Sequence, residues 1–228
     1  MPNSSLFRRL AKRILYPVLR PLSGWYLSSN RSFTWKNIRI GVQPGVFHPG
    51  LFISTKILLD FLSGKDLAGK KFLELGAGSG IISVFAAQQG AFVTASDISE
   101  IAVANIQTNA IQNQVSLTVI LSDLFVRFPE IKFDIIVINP PYYPRYPESE
   151  KEYAFFCGEK FEYFERLFAA LPGYILPGAT IWMILSEDCD IQRITAIGEK
   201  NKISIKEIEK QRKWGEWNYI FSVEIVPH

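Results

Sequence analysis

From Lys70 onward the chain alternates short apolar runs with helical stretches, and this rhythm constrains the fold more than any other feature. Strand signals fall at Lys71–Leu75, Phe92–Ala95, Leu117–Leu121, Phe133–Ile138 and Ala179–Leu185. Helical patterns lie between them near Gly80–Gln89, Glu100–Gln112, Phe161–Leu171 and Cys189–Glu199. Strands separated by helices cannot pair as tight hairpins; each helix crosses back over the sheet, so the strands run parallel. The final runs, Ile203–Ile208 and Tyr219–Val226, flank a charged, tryptophan-bearing turn around Gln211–Trp217 and predict an antiparallel pair. The expected class is α/β: seven strands, mostly parallel, one antiparallel near the C-terminus, with helices on both faces.

Upstream of this rhythm the composition changes. The first 59 residues contain no Asp or Glu and nine basic residues, while the other 169 carry 16 basic and 22 acidic groups. Residues 5–20 place Leu6, Phe7, Leu10, Ala11, Ile14, Leu15 and Val18 on one half of a helical wheel, opposite Arg8, Arg9, Lys12, Arg13 and Arg20. Such a helix packs its apolar half on the body, or contacts RNA or an anionic surface. Its Arg-rich, acid-free character also matches an organellar transit peptide. Phe33–Ile40, broken at Lys36-Asn37, predicts a short hairpin, and Ser54 is placed to cap a helix running to Leu62. The expected organisation is a basic extension over residues 1–60 and an α/β domain over 61–228.

Several classes drop out. With only Cys157 and Cys189, in no CxxC pattern, and only His48 and His228, neither a disulfide scaffold nor a metal site is expected; a reducing cytoplasm fits. Leu167–Ser186 is uncharged and long enough to cross a bilayer, but Pro172-Gly173 and Pro177-Gly178 break it into a helix end, a loop and a strand start. No transmembrane segment is expected.

The chemistry sits where strands end. The first strand runs into Glu74-Leu-Gly-Ala-Gly-Ser-Gly80, a glycine loop that lets backbone approach a ligand ahead of a helix N-terminus. The spacing is GxGxG; Ile81 occupies the third-glycine position of a dinucleotide fingerprint, which argues against a nucleotide-dependent oxidoreductase. Glu74 as an anion would repel a pyrophosphate and suit an ammonium. Asp97, ending the second strand, can accept both hydroxyls of a ribose or cap the next helix. Asp123, ending the third, can accept from an exocyclic amine. The fourth strand runs into Asn139-Pro140-Pro141-Tyr142. The Asn139 side-chain oxygen and the Pro140 carbonyl can take both hydrogens of one planar NH2 group, and Tyr142 offers a flat stacking surface.

With these four motifs in order, the chain over roughly Val46–Leu185 resembles class I S-adenosylmethionine-dependent N-methyltransferases bearing the Asn-Pro-Pro-Tyr signature. The resemblance implies a Rossmann-like domain and S-adenosylmethionine as cofactor. It implies that Glu74, Gly76, Ala77, Gly78 and Gly80 hold the methionine end, Asp97 with Ile98 the ribose, and Asp123 with Leu124 the adenine. Asn139, which also borders the cofactor, acts with Pro140 and Tyr142 in catalysis; Phe47, Pro141 and Tyr142 meet the substrate. Tyr153–Glu162 resembles a segment of release-factor glutamine N5-methyltransferases. Pro44-Gly-Val-Phe47 is similar to a stretch of ribosomal-RNA guanine-N2 methyltransferases, which usually carry Phe where this chain has Tyr142. The expected substrate is a protein glutamine; the alternative is an exocyclic amine of adenine or guanine in tRNA or rRNA.

Overall fold

The computed structural model describes residues 29–226. The basic helix expected at 5–20 lies outside the described residues. The chain opens with an antiparallel hairpin, β1 (Arg31–Trp35) and β2 (Ile38–Val42), turning at Lys36-Asn37 as expected. Helix α1 spans Ile53–Leu62, so the boundary expected after residue 60 lies inside it. The cap assignment for Ser54 is corrected: the N-cap position is Phe52, with no side-chain cap, and Ser54 sits in the first turn.

Then follow β3 (Lys71–Leu75), α2 (Ile81–Gln88), β4 (Phe92–Asp97), α3 (Glu100–Gln112), β5 (Thr118–Leu121), β6 (Phe133–Ile138) and α4 (Glu162–Ala170). The chain ends with β7 (Ile175–Ser186), α5 (Ile191–Lys200), β8 (Ile203–Lys213) and β9 (Glu216–Ile225). The sheet order is β5-β4-β3-β6-β7-β9-β8, with β9 antiparallel to both neighbours and the other pairings parallel. Strand order reverses at β3, which lies between β4 and β6. In such sheets the crevice at the carboxyl ends of the switch-point strands is where ligands bind.

Period-2 alternation sorts the core onto two faces. Phe72, Ile135 and Val137 face α1, α2 and the hairpin, packing with Ile38, Ile40, Ile57 and Leu58. Leu73, Leu75, Ile136 and Ile138 face α4 and α5, packing with Phe164, Leu167, Phe168, Ile194 and Ile197. Pro177-Gly178 breaks register without ending β7: Phe133 pairs with Ile175 and Ile135 with Thr180, so the intervening β7 residues bulge. The strand therefore starts before Ala179.

Two buried amides of α3 tie the hairpin to that helix. Asn105 Nδ2 and Asn109 Nδ2 both donate to the Gly41 carbonyl at 2.8 Å, and Asn109 Oδ1 accepts from Gly41 N–H at 2.8 Å. Asn109 Nδ2 also donates to the Ser79 carbonyl at 2.9 Å, so one side chain links β2 to the glycine loop. At the far end, β8 and β9 turn through Trp214 (φ +51°) and Gly215 (φ +81°). The left-handed region costs a residue with a Cβ about 1–2 kcal/mol. Trp214 is 78% exposed, so packing does not offset that cost.

Candidate active site

The carboxyl ends of β3, β4 and β6 border a cavity of about 370 Å³ lined by Glu74, Gly76, Ala77, Gly78, Asp97, Ile98, Asp123, Leu124 and Asn139. The loop after β3 owes its path to glycine: φ is +75° at Gly76, +52° at Gly78 and +75° at Gly80. A Cβ at Gly80 would sit 3.0 Å from Ile106 of α3, whereas one at Gly76 would meet nothing within 4 Å. Gly80 therefore serves packing, and Gly76 leaves space on the cavity side.

Glu74 has a task that its sequence position does not reveal. Its Oε2 accepts from Ser83 N–H at 2.7 Å and Ser83 Oγ–H at 2.5 Å, capping the first turn of α2 from across the loop. Burial pushes its carboxyl up to about 8, opposed by the two Ser83 bonds, while the charge of Asp97 pushes the same way. The expectation of a standing anion is thus modified: burial favours the protonated form of this carboxyl.

A stability consequence follows. The unfolded chain releases this proton in the ordinary carboxylate range and the folded chain only near 8. Between those limits the folded state binds more protons, so stability falls as pH rises. Glu74→Gln keeps an acceptor for Ser83 and removes the titration. Its melting temperature should fall less than that of the wild type between about pH 5 and pH 8. Parallel melting curves across that window would refute the assignment.

Asp97 is held at both oxygens: Oδ2 accepts from Gly78 N–H at 2.8 Å and Oδ1 from Ser99 N–H at 3.0 Å. It does not cap α3; Ser99 does, its side chain accepting from Ala102 N–H. Burial raises the Asp97 pKa, and bonds from Ser99, Gly78 and Ile98 oppose the rise. Each carboxylate oxygen keeps a further lone pair for a ligand hydroxyl. Asp123 has a partner the sequence did not suggest: Arg166 of α4 lies 2.8 Å from Oδ2, in a half-exposed pair. Such pairs contribute up to about 1 kcal/mol and open at little cost.

On the other side, β6 delivers Asn139 with buried Pro140 and half-buried Pro141 and Tyr142. Asn139 Nδ2 donates to Ser54 Oγ at 3.3 Å, which turns the amide oxygen away from α1. Backbone bonds fasten the loop to the segment that follows it: Tyr142 and Tyr143 N–H both donate to the Phe155 carbonyl, and Cys157 N–H to that of Tyr143. Phe155 brings an aromatic wall with it. Phe47 and Phe52 stack at 4.2 Å, and Phe155 leans on them at 6.0 and 5.5 Å. Phe47 was expected at this site, and Phe155 lies within the Tyr153–Glu162 segment noted in the sequence; Phe52 carries no sequence signal beyond aromatic character. Burial raises the Tyr142 hydroxyl above its ordinary range, opposed by a hydrogen bond with Ser186, so it stays protonated.

The model of the methyltransferase small domain family matches residues 37–195. The chain belongs to this family. A Methanocaldococcus jannaschii protein provisionally named a protein N5-glutamine methyltransferase is 32% identical over 75% of this chain and 89% of its own length. The ribosomal RNA small subunit methyltransferase C of Alcanivorax borkumensis is 30% identical over 64% of this chain and 42% of its own. The chain thus matches less than half of that second relative. The fold is shared with the T. thermophilus 16S ribosomal RNA guanine-N2 methyltransferase, solved with S-adenosylmethionine and guanosine. The TM-score is 0.61 at 19% identity, covering 86% of this chain and 51% of that one.

The methyltransferase is thus an S-adenosylmethionine-dependent N-methyltransferase with the Rossmann-like sheet expected of it. The cavity suits the cofactor: it has the volume of a ligand pocket, open space at Gly76 and acidic groups at three strand ends. No helix of the described residues is long and apolar enough to cross a membrane.

Proposed function

We propose that this methyltransferase modifies the side-chain amide nitrogen of a glutamine in a protein. The observation that carries the reading is the tether between Asn139 and Ser54. With Nδ2 committed to Ser54 Oγ, the Asn139 oxygen is left to accept a substrate hydrogen, beside the Pro140 carbonyl. A planar NH2 group offers two hydrogens to two such acceptors. The segment fastened to this loop lies within Tyr153–Glu162, the stretch whose sequence resembles glutamine N5-methyltransferases. The relative matched over most of its length is named for glutamine as well. The aromatic wall of Phe47, Phe52 and Phe155 favours a second reading, a flat guanine or adenine held by its exocyclic amine.

In the proposed roles Glu74 and Gly76–Gly80 take the methionine end of the cofactor, Asp97 and Ile98 the ribose, and Leu124 and Asp123 the adenine, with Arg166 moving aside. The bound cofactor supplies a methyl already activated on a sulfonium. Asn139 and Pro140 then orient the amide nitrogen and stabilise the positive charge that develops on it. Tyr142 packs against the flat amide, and the surplus proton leaves to solvent.

Ser54→Ala should lower turnover roughly three- to tenfold, the worth of one hydrogen bond, by freeing the Asn139 amide to rotate. Ser54→Thr, which keeps the hydroxyl, should retain most of the rate. Cofactor affinity by calorimetry should be unchanged in both. Full turnover in Ser54→Ala would remove the tether from the mechanism.

The reading itself is tested with labelled S-adenosylmethionine and a purified release factor, followed by hydrolysis and chromatography. Label co-eluting with N5-methylglutamine is the expected result. Label that appears only when ribosomal RNA or tRNA replaces the protein would overturn it in favour of the base.

A further inference from the structure

The hairpin that closes the sheet holds a large aromatic side chain where folding has no use for one. A two-residue turn with both φ angles positive is best served by Asn-Gly. Here its first position is Trp214, with φ +51° and 78% exposure. Its ring has the Lys56 ammonium 5.4 Å from its centroid. Strain without compensating burial points to function.

The placement suggests which function. β9 pairs with β7 so that Asn218 faces Ser186, and Glu187 N–H donates to the Trp217 carbonyl at 2.9 Å. The turn therefore overhangs the carboxyl end of β7, the edge at which Asn139 and Tyr142 leave the neighbouring strand β6. Lys56 lies on α1 two residues beyond Ser54, so the turn and the Asn139 tether both meet the start of that helix.

We propose that Trp214 is the docking anchor for a folded protein substrate, seated in an apolar pocket of that protein while its glutamine enters the cavity. This rests on the glutamine reading above. The hairpin's cations are already engaged: Lys213 pairs with Asp60 at 3.1 Å and Lys210 with Glu207 at 4.0 Å, and Arg212 lies over the Trp217 ring. An apolar tip beside two paired lysines and a ring-stacked arginine matches a protein interface, in which exposed tryptophans are common anchors. A nucleic-acid backbone calls instead for a run of open cations.

The test uses the full chain, labelled cofactor and RNase-treated extract of cells lacking this enzyme, offered either intact or as tryptic peptides. Trp214→Asn suits the turn and should melt no lower than wild type. It should label intact protein about tenfold more slowly at limiting substrate, the loss expected of a central anchor. Labelling of the peptides, which carry the glutamine without the docking surface, should be unchanged. Equal rates on intact protein overturn the anchor while leaving the glutamine reading standing. If the wild type labels neither protein nor peptide but does label untreated RNA, the glutamine reading fails, and the protein partner with it.

Discussion

Asn139→Ala loses about two to three orders of magnitude in turnover, the cost of removing one preorganised polar contact from a transition state. Cofactor affinity and melting temperature stay near those of the wild type. The reason is local. The Asn139 side chain is half-buried and donates one bond, to Ser54 Oγ, so its removal disturbs little of the fold. What disappears is the acceptor opposite the Pro140 carbonyl, and with it the orientation of the substrate amide. Single-turnover rates with labelled cofactor separate this from a binding defect. A variant that keeps wild-type turnover would exclude Asn139 from the chemistry.

Asp97→Ala weakens S-adenosylmethionine binding by about 1.5–3 kcal/mol, roughly tenfold or more. Two effects add. A charged acceptor for the ribose hydroxyls is lost, and the N–H groups of Gly78 and Ser99 lose the carboxylate that holds them. The glycine loop then loses its anchor to the end of β4, so a lower melting temperature accompanies the weaker binding. Asp97→Asn keeps one oxygen acceptor and falls between. Calorimetry showing Asp97→Ala binding the cofactor as tightly as wild type would show that the ribose lies elsewhere.

The sheet was legible because its residues obey local rules. Phe133–Ile138 and Glu100–Gln112 appear with the bounds their apolar patterns suggested, and the β1–β2 turn falls at Lys36-Asn37. The cavity-lining acids could be picked out because strand ends in a parallel sheet gather at one edge. What escaped detection depends on contacts between distant segments. Ser54 looked like a helix cap because local sequence cannot show that its hydroxyl meets Asn139, 85 positions away. Arg166 sits on α4, 43 positions from the Asp123 it pairs with. Glu74 read as an anion because only the folded packing reveals its burial and the two hydrogen bonds it accepts from Ser83. The Pro177-Gly178 bulge was taken for a strand start because turn chemistry and bulge chemistry use the same residues.

An amide nitrogen of a protein, gripped by the Asn139–Pro140 pair, is the proposed methyl acceptor. Transfer of labelled methyl into extract of cells lacking the enzyme, with RNase or protease applied before counting, tests it most directly. Label that survives RNase, is lost to protease and is nearly absent with Asn139→Ala is the predicted result. Label destroyed by RNase and resistant to protease would contradict it.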